Sequence, residues 1–157
     1  MARKPSYCWD TTVFLAFLKG EESSKQPGML SVIDQIESAK CSLVVPVLLY
    51  TEILVANNDA KVMAVFRNFL KRSNVTTANI TLKMAEKAEA IRTRGLNEKP
   101  KRKIRTPDAI FLACGILYGV DLMHSLDGHM LKLDRSPTVE GMQVCKPKAS
   151  DGAQSMF

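Results

Sequence analysis

The chain has 157 residues, 46% apolar and 24% charged, a balance that supports one globular core and excludes disorder, collagen-like repeats and a disulfide scaffold. Its 22 Lys+Arg exceed its 16 Asp+Glu by a net +6. Seven of those cations (Arg92, Arg94, Lys99, Lys101, Arg102, Lys103 and Arg105) crowd into residues 92–105 against Glu98 alone, so the rest of the chain is neutral and the basic segment is either a local contact for an anionic partner or a solvated loop.

Tyr7-Cys8-Trp9 reads as a short strand that stops at Asp10. Thr11-Thr12 then lead into a helical run, Val13–Leu18, closed by Gly20. Glu21–Pro27 is a polar loop, and Met29, Val32, Ile33 and Ile36 keep the spacing of a helix over 28–40. Ser42–Val45 is a buried strand, and Pro46, a residue suited to a first helical turn, is expected to open a helix through Ala56. Asn57-Asn58-Asp59 punctuates the chain and caps a helix whose apolar face is Val62, Val65, Phe66, Phe69 and Leu70. Val75-Thr76-Thr77 predicts a strand and Thr81–Arg94 a helix. After the basic loop, Thr106-Pro107-Asp108 starts the most apolar helix, Ala109–Tyr118, which ends at Gly119. Val120–Ser125 predicts a strand with Asp121 at its start, Asp127-Gly128 a turn and short helix, and Val144-Cys145 an edge strand. Strands alternating with helices predict an α/β protein with a mostly parallel central sheet, one domain over 1–146 with a flexible, fraying tail over 147–157.

The longest uncharged apolar run, Ala109–Val120, has 12 residues, whereas a membrane-spanning helix needs roughly 20. Arg3 and Lys4 are followed by Asp10 before any signal-peptide core forms. Cys8, Cys41, Cys114 and Cys145 make no C-x-x-C pair and read as reduced thiols of a cytoplasmic protein.

In parallel sheets, functional groups gather at the carboxyl ends of strands. Asp10, Asp108 and Asp127 occupy strand-to-helix positions, and each alone also fits an ordinary helix cap. Glu52 is different. Its helical neighbours Leu48, Leu49, Val55 and Ala56 are all apolar, which puts it on the face expected to be buried. An ionised carboxylate there needs a cation or hydrogen bonds, from a metal, an arginine or a helix end. Four carboxylates at one sheet edge raise one another's pKa, and a divalent cation relieves that repulsion. Oxygen-only ligands favour Mg²⁺ or Mn²⁺ over zinc.

At these residues the chain resembles the PIN-domain family, and within it the bacterial VapC-like toxin ribonucleases. Four pieces carry the resemblance in order: Asp10 with Thr11-Thr12-Val13-Phe14-Leu15; Thr51-Glu52-Ile53-Leu54 after a strand and Pro46; Thr106-Pro107-Asp108-Ala109-Ile110-Phe111-Leu112-Ala113; and Ser125-Leu126-Asp127. The resemblance implies a three-layer α/β/α sandwich and a metal-dependent endoribonuclease. Carried over, Asp10, Glu52, Asp108 and Asp127 would hold one or two Mg²⁺ or Mn²⁺ ions, with Thr11 and Ser125 supporting the site. It further implies a homodimer and an antitoxin partner that inserts a segment into the acidic groove. Where VapC-like chains often carry a second acid two residues after the last one, this chain has His129. His129 reads as a surface turn residue and His124 as a strand residue, and their spacing makes no zinc site.

The basic loop runs directly into Asp108, so Lys101, Arg102, Lys103 and Arg105 are expected to neutralise phosphates of an RNA strand, single-stranded or in a loop. At 6% aromatic content, stacking along an extended groove is limited. A haloacid-dehalogenase-type phosphatase would need an aspartate at position 12, where Thr12 stands, and the glycine-rich lysine motif of P-loop NTPases is missing. The rival from another class is a catalytically silent PIN-like module that binds RNA or protein.

Overall fold

The computed structural model describes residues 3–20, 27–56 and 59–149. Its elements are β1 (Ser6–Trp9), α1 (Thr11–Lys19), α2 (Pro27–Glu37), β2 (Ser42–Pro46), α3 (Leu48–Ala56), α4 (Ala60–Leu70), β3 (Val75–Ala78), α5 (Leu82–Asn97), α6 (Thr106–Leu117), β4 (Leu122–His124), α7 (Gly128–Leu131) and β5 (Val144–Cys145). The strands form one sheet in the order β3-β2-β1-β4-β5, and each neighbouring pair is parallel. The order reverses between β1 and β4. Right-handed crossovers therefore place the helices leading to β3 on one face and the α5–α6 crossover on the other, which gives the three-layer α/β/α sandwich.

β1 displays both faces, because side chains alternate along a strand. On one face the Tyr7 hydroxyl donates to Gln35 Oε1 of α2 at 2.9 Å. Trp9 stacks on Phe69 of α4 and meets Phe14 and Phe17 of α1 edge-on. On the other face the Cys8 thiol lies 3.8 Å from the Phe111 carbonyl of α6. α6 is apolar nearly all round and buried accordingly, packing on β1, β2 and β4 beneath α5. His124 is fully buried, and its Nδ1 accepts from the Trp9 indole N–H at 3.2 Å across the β1–β4 pair. All four cysteines are buried and none forms a disulfide; burial pushes the Cys41 thiol up to about 12.

Several boundaries differ from the sequence reading. Pro46 does not open a helix. It ends β2, paired with Ala78, and α3 begins two residues later. Its missing N–H costs no ladder bond there, because the pairing with β1 reaches only Val44 and the bond to the Ala78 carbonyl comes from Val47 N at 2.8 Å. The helix expected over 28–40 ends at Glu37, because Ala39 turns left-handed at φ 56°. α5 continues past Arg94 to Asn97, and α6 starts at Thr106 rather than Ala109. β4 is confined to Leu122–His124, because Asp121 is used before the strand: its carboxylate accepts from Ser6 N at 2.8 Å and pairs with Arg3. The described chain stays against the body after Lys146. Pro147 is buried, and the Ala149 carbonyl accepts from Ser31 Oγ at 3.4 Å. Residues 21–26 of the expected polar loop, Asn57, Asn58 and residues 150–157 of the expected tail lie outside the described residues. Among the described residues no helix is long and apolar enough to cross a membrane.

Candidate functional site

In doubly wound sheets the crevice that takes ligands opens at the carboxyl ends of the strands where their order reverses. Here that point lies between β1 and β4. Asp10 follows β1 directly and caps α1, its carboxylate accepting from Val13 N at 3.3 Å. It is only 3% exposed. Two hydroxyls complete its setting: Thr12 donates to Oδ1 and Ser125 to Oδ2. Both hydroxyls are fixed in turn from the β4 end, Thr12 Oγ1 accepting from Leu126 N at 2.9 Å and Ser125 Oγ from Asp127 N at 3.0 Å. This relay stitches the ends of β1 and β4 together around one carboxylate.

Asp10, Glu52 and Asp108 line one cleft of about 580 Å³, with Thr11, Thr12 and Arg105 among its other walls. Glu52 is half-buried rather than buried. Leu49 and Ile53 supply the fully buried face of α3, while Glu52 and Leu48 turn to the cleft. The Thr11 hydroxyl donates to Glu52 Oε2. Asp108 sits in the first turn of α6, where a carboxylate complements the free N–H groups of the helix end.

Arg105 immediately precedes α6 and reaches back over it. Its Nε lies 2.9 Å from Asp108 Oδ2, and its Nη2 lies 3.3 Å from Asp108 Oδ1 and 3.4 Å from Asp127 Oδ2. Asp127 is not among the residues lining the cleft; it caps α7, accepting from His129 N at 2.8 Å, and joins the other acids through Arg105. His129 is exposed on the rim of a smaller neighbouring pocket, about 130 Å³, that also includes Lys103, Arg105 and Asp108.

Burial pushes the Asp10 carboxyl above its ordinary value; the bonds from Ser125, Thr12 and Val13 pull it back, and the charge of Asp108 adds to the rise. Glu52 is also raised, by burial first and by Asp108 next, with Arg105 opposing and Asp10 adding. Its hydrogen bond to Asp108 holds the Arg105 guanidinium above its usual range. The charge of Asp108 thus raises both Asp10 and Glu52, as expected of carboxylates that share a space. No group of three or more His, Cys, Asp or Glu among the described residues is already arranged to hold a metal ion. The donors available around the cleft are nonetheless all oxygens, the set that suits a hard divalent cation.

The basic segment divides by residue type. Its arginines are engaged with the fold. Arg92 Nε donates to the Ile104 carbonyl at 3.0 Å, Arg102 Nη1 donates to the Lys132 carbonyl at 2.9 Å and pairs with Glu98, and Arg94 pairs with Glu140. Lys99, Lys101 and Lys103 are exposed. The loop closes tightly on α5: a Cβ on Gly95 would stand 2.6 Å from the Arg102 carbonyl. Two roles were missed from sequence. Thr12 figured there as part of the helix start and of the first motif and as a departure from the phosphatase pattern, but not as a group that positions Asp10. Arg105 counted as one of several phosphate contacts, although an arginine three residues before an aspartate at a helix start is a recognisable ion-pair spacing.

The PIN domain family model matches residues 7–136, and the chain belongs to that family. The fold is that of solved bacterial proteins. A toxin–antitoxin complex from Klebsiella pneumoniae superposes with a TM-score of 0.58 at 20% identity, covering 90% of this chain and 97% of that one. VapBC2 from Rickettsia felis, bound to a DNA fragment from its promoter, gives 0.61 at 14% identity, covering 88% and 96%. VapC20 from Mycobacterium tuberculosis, a toxin that cleaves the sarcin–ricin loop, gives 0.56 at 13%, covering 78% and 90%. Comparison with curated protein sequences gives no match.

Proposed function

We propose that this chain is a divalent-metal-dependent endoribonuclease and the toxin of a toxin–antitoxin pair. One observation carries the reading: Asp10, Glu52 and Asp108, delivered by three separate elements, meet in one cleft at the switch point of the sheet, with Asp127 one guanidinium away. Carboxylates gathered in oxygen-only surroundings, with Asp10 and Glu52 raised by burial and by the charge of Asp108, fit Mg²⁺ or Mn²⁺, and Asp10, Glu52, Asp108 and Asp127 would hold it. When bound, the cation would neutralise these acids and stabilise charge developing on a phosphodiester. The chain's own groups do the positioning. Ser125 and Thr12 aim Asp10, and Thr11 aims Glu52. The exposed Lys101 and Lys103, with Arg102 and Arg105 beside them, attract the backbone of an RNA strand. Likeness to toxin–antitoxin complexes supports an antitoxin as partner and, with the family's habit, a cytoplasmic homodimer.

The test incubates metal-stripped protein with mixed single-stranded RNA and Mg²⁺ or Mn²⁺, with and without EDTA. Cleavage is expected only with metal, and is lost in Asp10→Asn and Asp108→Asn; equal cleavage in EDTA would remove the metal mechanism. One observation favours the rival reading of a silent RNA- or protein-binding module, namely that Arg105 already pairs with two of the four acids. Thermal stabilisation by Mn²⁺ separates the two readings, because a silent module shows none.

A further inference from the structure

Arg105 is built unlike the other arginines of the basic segment. Arg92, Arg94 and Arg102 bond to carbonyls or surface glutamates that hold the loop on the body. Arg105 instead bonds to two of the four acids of the candidate site, by a two-pronged contact to Asp108 and a third bond to Asp127. Its charge also acts on Glu52. The backbone around it is fixed on both sides: Ile104 is buried and its carbonyl held by Arg92, and Thr106 begins α6. The side chain itself is 70% exposed. It therefore requires only a new rotamer, and no movement of the fold, to change partners. It also has a place to go, because it forms the wall shared by the acidic cleft and the small pocket bounded by Lys103 and His129.

A guanidinium and a divalent cation compete for the same oxygens, Asp108 Oδ1 and Oδ2 and Asp127 Oδ2. Carboxylates already satisfied by one cation attract a second less strongly. We infer that Arg105 is an internal counter-cation: it offsets part of the negative charge of the metal-free site and must leave Asp108 and Asp127 before a divalent ion is bound there. The inference rests on the metal-dependent reading above and adds to it a residue that sets how much metal the site requires.

The experiment titrates Mn²⁺ by calorimetry into the EDTA-treated, dialysed full chain at one pH and one ionic strength. It compares the unaltered protein with Arg105→Ala, with Arg105→Gln, which keeps most of the side chain's length, and with Lys132→Ala, which removes a positive charge elsewhere. Circular dichroism checks that each variant folds. Arg105→Ala and Arg105→Gln are expected to bind Mn²⁺ about tenfold more tightly, and Lys132→Ala within about twofold of the unaltered protein. Unchanged or weaker binding in both Arg105 variants overturns the inference, and so does equal tightening by Lys132→Ala, which would mark a general charge effect. If no protein in the set binds Mn²⁺, the inference and the metal-dependent reading fall together. Tighter Mn²⁺ binding by Arg105→Ala, with no RNA cleavage by the unaltered protein in Mn²⁺, leaves the inference standing and removes the nuclease reading alone.

Discussion

Asp10 and Asp108 line the same cleft and are held in opposite ways. Asp10 is almost wholly buried and takes its bonds from uncharged donors: two hydroxyls and one backbone N–H. Asp108 is held by a guanidinium that stands mostly in solvent. Neutral donors fix a carboxylate in place and leave its charge intact. An exposed arginine cancels charge and, screened by water, fixes little. The cleft thus has a firmly bonded wall without a counter-charge at the ends of β1 and β4 and an adjustable, partly neutralised wall at the start of α6.

Substitutions break this contrast in graded ways. Asp10→Asn has the largest expected effect, a loss of about a thousandfold in the proposed RNA cleavage, measured by single-turnover kinetics; the new amide also turns a donor toward Ser125 or Thr12. Ser125→Ala removes one neutral donor and leaves the charge, so cleavage falls about 10- to 100-fold. Because the Ser125 bond lowers the Asp10 pKa, the acid limb of the pH profile moves to higher pH. Gly95→Ala undermines the other wall from below, driving a methyl against the Arg102 carbonyl and Ile104; urea titration is expected to show a loss of about 1–3 kcal/mol. The double variant Lys101→Ala/Lys103→Ala leaves both walls intact and weakens RNA binding, reducing the slope of log affinity against log salt by about 1.4. The smallest effect is a pH dependence of stability in EDTA. Glu52 has a folded-state pKa above its ordinary 4.5, so the folded protein holds its proton longer than the unfolded chain, and stability from this group falls as pH rises through that window. The melting temperature of Glu52→Gln relative to the unaltered protein should therefore climb across that window and then level off.

The acids and the fold class could be read from the sequence because both leave local traces. Asp10 ends a three-residue apolar strand, Glu52 interrupts an apolar helix, and Asp108 sits in a Thr-Pro-Asp helix start. What could not be read depends on distant partners. Thr12 matters because Leu126 N finds its oxygen from 114 residues away, and nothing near Thr12 announces that. Pro46 misled because its missing N–H suits the first turn of a helix and the last rung of a strand equally well, and only pairing with Ala78 decides between them. Glu52 was placed too deep because four apolar neighbours say which face is greasy, not that a cleft opens beside it. Counting charge over residues 92–105 located the basic segment correctly. It could not separate arginines that clamp the loop from lysines that face solvent, since both count as +1.

The bond from Ser125 to Asp10 spans 115 residues. During synthesis Asp10 leaves the ribosome long before the residue that aims it. At about 5–20 residues per second the interval is on the order of ten seconds. Until β4 has been made and has paired beside β1, no polypeptide holding the first carboxylate also holds its setting. A chain cut short anywhere before Ser125 lacks that setting, so truncated products and nascent chains carry an unassembled cleft, and any activity the cleft confers begins only once Ser125 has been made and β4 has paired.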